Sequence, residues 1–134
     1  MTYLIAYVAA LAVFLLADMV WLGLMVSRIY RPALGDFLLS GVNIPPAVIF
    51  YLLYPAGLVI FAIVPAIRTE NVVTALILGS LFGLFTYGTY DLTNQATLRH
   101  WTTLLTIADM GWGSILGGLS SASAAWIVLK LFRT

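Results

Sequence analysis

Four stretches of this sequence, residues 3–26, 46–67, 72–90 and 104–132, are each long and apolar enough to cross a bilayer as a helix. The hydrocarbon core takes about 20 residues of α-helix. Each run is continuously apolar, whereas a strand of a transmembrane barrel alternates at period two. The reading is therefore all-α: a polytopic membrane protein, built as a four-helix transmembrane bundle in a single domain over residues 1–134. The third run is expected to continue helically to residue 98. Composition points the same way: 63% of residues are hydrophobic, 8% are charged, and mean hydropathy is +1.07. A soluble domain carries about 25% charged residues. No basic segment precedes Leu4, and the first run outlasts the apolar core of a signal peptide, so it reads as a retained span.

The net charge of +1 gives no basic surface for nucleic acid. The absence of cysteine removes disulfides, thiolate metal sites and thiol nucleophiles, and a single histidine argues against a His-based metal cluster. No haem, flavin or zinc signature, phosphate loop or nucleophile elbow occurs. Four spans place both termini and the 68–71 turn on one side, called side A, and the connections at 27–43 and 99–101 on side B. Side A carries Arg68, Lys130 and Arg133, and side B carries Arg28, Arg31 and Arg99, so the positive-inside rule returns a tie. Pro45 and Pro46 suit the start of the second span. Pro55 lies inside it and cannot donate to the Tyr51 carbonyl, so a kink or a freed acceptor is expected there.

Asp36 and Glu70 lie in connections, where a solvated carboxylate is ordinary. Asp18, Asp91 and Asp109 lie in the spans. At about 1.5 Å of rise per residue, Asp18 sits about 12 Å and Asp109 about 8–12 Å below side B, with Asp91 at a similar depth if its helix runs to residue 98. Tyr87, Tyr90, Asp91 and Asn94 share an arc of roughly 100° with Gly83. Tyr51 and Tyr54 of the second span occupy the same half, and Trp21 and Trp112 accompany two of the aspartates. An aspartate facing lipid mid-membrane costs about 2.5–3.5 kcal/mol, and three would cost on the order of 8–10 kcal/mol. That equals the stability of a typical fold, so the carboxylates are expected to face the interior or a wet cavity. No Lys or Arg lies at their depth. Shared protonation, a bound cation or an inward-folded rim arginine could neutralise them. A hard divalent cation on Asp18, Asp91 and Asp109 is one such solution. The alternative is that these side chains simply join helices, at about 0.6 kcal/mol per contact.

Gly79-x-x-x-Gly83 and Gly113-x-x-x-Gly117, with Ser114-x-x-x-Gly118, let helices approach closely, either within the bundle or between copies in a homo-oligomer. "LLADMVWLGL" at 15–24 and "TIADMGWGSI" at 106–115 repeat an Ala-Asp-Met-x-Trp pattern. A duplicated hairpin would pair the first span with the third, but the motif pairs the first with the fourth. The two spans run in opposite directions, so Trp21 is expected about 4.5 Å nearer side B than Asp18 and Trp112 about as much deeper than Asp109. The two rings should then bracket the acidic layer.

The segments "MTYLIAYVAALAVFLLADMVWLG", "FYLLYPAGLVIFAIVPA", "GLFTYGTYDLTNQATLRHW" and "DMGWG" resemble the domain-of-unknown-function 2177 family of small four-span bacterial proteins. The resemblance covers nearly the whole chain. It implies a multi-pass protein of the bacterial inner membrane and no particular activity. The motif residues it marks are Asp18, Trp21, Tyr90, Asp91, Asn94, Asp109 and Trp112.

Three functions fit these residues. In the first, Asp18, Asp91 and Asp109 carry exchangeable charge in a pocket walled by Trp21, Tyr51, Tyr54, Tyr87, Tyr90, Asn94 and Trp112, which binds or moves a proton, a cation or a small polar or lipid-like ligand. In the second, the aspartates perform acid–base or metal-assisted chemistry on a membrane lipid or isoprenoid. In the third, the chain is a structural subunit that docks partners through its glycine faces.

Overall fold

Continuous helices are the form in which an apolar chain satisfies its own backbone in lipid, and this chain takes that form. The computed structural model describes residues 1–35, 38–39 and 41–132. Asp36, expected in the first connection, and Arg133, counted among the side-A cations, lie outside the described residues. Among the described residues, four helices are long and apolar enough to cross a membrane: α1 (Thr2–Leu34), α2 (Ile44–Thr69), α3 (Val72–Thr97) and α4 (Thr103–Phe132). The last three match the sequence reading to within a few residues, and α3 takes the longer of its two expected extents. The first does not: α1 runs eight residues beyond 26, into what reads as a connection.

The extension has a physical cause. Between Val26 and Tyr30 the helix widens to a π-turn, closed by the Arg31 N–H on the Val26 carbonyl. Pro32 comes next. A proline ring clashes with the carbonyl four residues back and brings no N–H to it, and a wider turn relieves both defects. The same device recurs in α2, where the Val64 N–H reaches the Val59 carbonyl just ahead of Pro65. A third π-turn, Val128–Phe132, ends α4 with no proline near it. Pro55 is buried inside α2, and the helix continues through it. The backbone acceptor contacted there is the Leu52 carbonyl, which takes the Tyr7 hydroxyl of α1 at 2.7 Å, one residue on from the Tyr51 carbonyl expected to be freed.

The connections are capped locally. Glu70 adopts a left-handed conformation at the end of α2 (φ 53°). Asn71 caps α3 by accepting the Val73 N–H at 2.9 Å, and Thr102 caps α4 by accepting the Leu105 N–H at 3.1 Å.

The helices pack in chain order around a ring, with α4 against α3 on one side and α1 on the other. The α3–α4 contact is the closest. A Cβ on Gly83 would lie 2.0 Å from the Gly113 carbonyl oxygen, and one on Gly79 would lie 2.4 Å from that of Gly117. Of the two uses expected for the glycine faces, within the bundle or between copies, the fold shows the first: they pack on each other inside the chain. Small residues also line the α1 contacts, where Ala6 and Ala10 are fully buried. Phe14, Leu58, Ile63, Leu105 and Leu116 fill the rest of the core, while many other large side chains point outward, among them Leu16, Leu53, Phe61, Phe85 and Ile107. Small residues at the helix contacts under an apolar exterior are the arrangement that lipid favours.

The helix α2 is split in its packing. Its side-A half, from Val59 onward, lies on α3, whereas its side-B half lies on α1 and diverges from α3. The break falls where the π-turn begins. Tyr54 is the last side chain to bridge the gap, with its hydroxyl 2.9 Å from that of Thr86.

Candidate functional site

Above Tyr54 the diverging helices leave a cavity of about 470 Å³ in the side-B half. All four helices line it: Asp18, Leu22 and Tyr30 from α1, Phe50, Tyr51 and Tyr54 from α2, Thr86, Tyr87 and Tyr90 from α3, and Asp109 and Trp112 from α4. Phe50 and Tyr90 are also exposed on the outer face, at 41% and 57%. The cavity therefore opens sideways between α2 and α3.

Asp18 and Asp109 are buried in the wall, at 6% and 7% exposure. Neutral donors hold both. Asp18 Oδ2 accepts the Tyr51 hydroxyl, and Oδ1 accepts the Trp112 Nε1–H at 3.0 Å. Asp109 Oδ1 accepts the Tyr30 hydroxyl, which itself accepts the Trp21 Nε1–H at 2.9 Å. Each tryptophan of the twin motif thus serves the other motif's aspartate, Trp112 directly and Trp21 through Tyr30.

The two indoles do not bracket the acidic layer. They stack, with centroids 4.6 Å apart and planes 3° from parallel. Side chains on a helix lean toward its N-terminus. Trp21, nearer side B, leans toward side A, while Trp112, deeper, leans toward side B on its antiparallel helix. The lean cancels the difference in depth between their backbones.

Asp91 is fully enclosed, and neither carboxyl oxygen has a donor among the described residues. Its polar neighbour is the carboxyl of Asp109 across the α3–α4 contact. Both groups are acceptors when ionised, so a hydrogen bond between them needs a proton on one. Asp91 does not line the cavity. Neither does Trp21, which lies behind Trp112, nor Asn94, which sits a turn beyond Tyr90. The arc expected on α3 therefore serves two purposes: Tyr87 and Tyr90 face the cavity, while Gly83 and Asp91 face α4. Gly113 opposite makes room for the Tyr87 ring, which a Cβ there would meet at 2.2 Å.

The three carboxylates do not come together as one group. Among the described residues no three His, Cys, Asp or Glu side chains group to hold a metal ion. Asp91 and Asp109 pair, while Asp18 is held separately by Tyr51 and Trp112. Nor do rim arginines fold inward: Arg28, Arg31 and Arg99 are exposed.

Sequence reasoning missed Tyr30, Leu22, Phe50 and Thr86. For Tyr30 the reason is the π-turn. An ideal helix sets it about 180° from Trp21, at 100° per residue. A wider turn shifts the phase of every residue beyond it, and Pro32 is the readable signal for such a turn.

No curated protein and no solved structure matches the chain. The family model described as "Predicted membrane protein (DUF2177)" matches residues 3–126, nearly the whole sequence, and the chain belongs to that family of membrane proteins.

Proposed function

We propose that this protein binds a lipophilic organic cation in the side-B cavity, with access from the lipid between α2 and α3, in a bacterial inner membrane. One observation carries the reading: two carboxylates stand in an aromatic wall whose lining, among the described residues, includes no Lys, Arg or His. Phe50, Tyr51, Tyr54, Tyr87, Tyr90 and Trp112 supply ring faces, which attract a cation by their quadrupoles. Asp18 and Asp109 supply the opposite charge, held in place by Tyr51, Trp112 and Tyr30. The volume lies within the roughly 300–1,000 Å³ of small-molecule sites. A hydrated metal ion suits such walls poorly, since Mg²⁺ and Ca²⁺ take six or more oxygen ligands.

The test uses two probes of one shape and opposite charge, tetraphenylphosphonium and tetraphenylborate. Each is titrated into detergent-solubilised protein, with protein-free micelles as blank and tryptophan fluorescence as readout. The cation is expected to bind and the anion not, and Asp18→Asn is expected to weaken the cation at least tenfold. Equal binding of both probes, or indifference to Asp18→Asn, overturns the reading.

A second reading has one observation in its favour. The Asp91–Asp109 pair beside an apolar cavity resembles carboxyl pairs that split acid and base roles, which suits chemistry on a lipid or isoprenoid. It predicts altered lipid extracts from cells making the protein, compared with cells making a variant with all three aspartates changed to asparagine.

A further inference from the structure

We propose that the Asp91–Asp109 pair holds one proton between its two carboxyls and gives it up when a cation occupies the cavity, so that the site exchanges a proton for its ligand. The inference rests on the cation reading above and names its coupling. Asp91 is the inner member, wholly enclosed and without a donor. Asp109 is the outer member, lining the cavity and accepting from Tyr30. Two carboxylates in contact repel unless something positive joins them.

No cationic side chain does so among the described residues. From α1, Tyr30 faces the pair, and Asp18 adds a further negative charge across the cavity. From α3 come Tyr87 and Tyr90. From α2, the Tyr51 hydroxyl is taken by Asp18. These groups are neutral or acidic, so a proton is what remains to join the pair while the cavity is empty. With it in place, one carboxyl donates and the other accepts.

A cation beside Asp109 takes over that role. The O–H bond of the pair breaks, the proton passes to water at the cavity mouth, and Asp109 then faces the cation with the Asp91 carboxylate behind it. One positive charge replaces another. Linkage makes the effect reciprocal: the bound cation weakens proton binding by the same factor as the proton weakens the cation. Affinity for the cation should therefore rise with pH. The limit is tenfold per pH unit across the range where the empty pair is protonated and the occupied pair is not.

The experiment is calorimetric titration of tetraphenylphosphonium in buffers of different ionisation enthalpy. Wild type is expected to release up to one proton per cation bound. Asp91→Asn puts an amide donor where the shared proton was. It is expected to bind the cation with pH-independent affinity and to release none. Cation binding without proton release in wild type, or unchanged release in Asp91→Asn, overturns the exchange and leaves the cation reading standing. Absence of cation binding overturns the cation reading instead. The pair is then judged by infrared spectroscopy of the empty protein at neutral pH. A protonated-carboxyl carbonyl band that disappears in Asp91→Asn supports the shared proton, and its absence from wild type refutes it. Should Asp91→Asn fail to fold, the wild-type proton count and infrared band still decide.

Discussion

Asp18 illustrates how this protein keeps a carboxylate inside an apolar helix. Among the described residues it has no basic partner, it lies away from the surface, and it is held by a phenol and an indole from two other helices. Both donors are neutral and carry large apolar bodies, so they bring polarity to one atom and packing to the rest. Tyr51→Phe deletes one donor and keeps the ring. A hydrogen bond to a charged acceptor contributes about 1.5–3 kcal/mol, and a loss of that size is expected in denaturant unfolding of the solubilised protein. No loss would mean that the Tyr51 hydroxyl is as well satisfied elsewhere. Tyr30 stands in the same position toward Asp109, with the added task of carrying Trp21 into the network.

Helix contacts are where stability is most sensitive. Gly83 and Gly111 lie on the two helices of the closest pair and differ only in surroundings. A Cβ at Gly83 meets a backbone carbonyl, whereas one at Gly111 meets nothing within 4 Å. Gly83→Ala should cost about 1–3 kcal/mol through overpacking. Gly111→Ala should be neutral or stabilise by up to about 1 kcal/mol from helix propensity. Thermal unfolding of the two variants side by side checks the contrast, and equal midpoints would refute the close approach of α3 and α4. The π-turns make a second prediction. Pro32→Ala removes the clash and the missing donor that the wide turn accommodates. The turn should tighten to an α-turn and rotate Tyr30 away from Asp109, freeing the Trp21 Nε1–H. Tryptophan emission should then shift in Pro32→Ala but not in Pro45→Ala, which lies at a helix start.

For the molecule as a whole, one prediction concerns its orientation. Basic residues balance between the two sides, so charge alone does not decide which way it inserts. With no native cysteine, single cysteines report position cleanly. Cysteines at Thr2 and Asn71 should react with a membrane-impermeant maleimide from one side of the membrane, and cysteines at Gly41 and Leu98 from the other. Thr2 and Asn71 labelling from opposite sides would break the four-span topology. All four labelling from both sides would show dual insertion of the intact bundle.

Hydropathy, helix rise and residue inventory are local quantities. The sequence by itself was therefore enough to determine the membrane class, four spans and three aspartates inside the helices with no Lys or Arg close to them in the chain. It also determined seven of the cavity-lining residues, from Asp18 and Tyr51 to Trp112, because residues at one depth in a small bundle have few places to go. Pairing was out of reach. The wide turn ahead of Pro32 rotates Tyr30 onto Asp109, which a uniform 100° projection cannot show. Opposed side-chain lean on antiparallel helices stacks Trp21 on Trp112 where backbone depth separates them. The glycine stripes were legible as close-packing faces, but only the fold turns them on each other rather than on another copy. The divergence of α2 from α3 leaves no mark in hydropathy, and that divergence makes the cavity. Rotation about a helix axis and the choice of neighbour depend on what packs against each face, so the tertiary structure alone decided them.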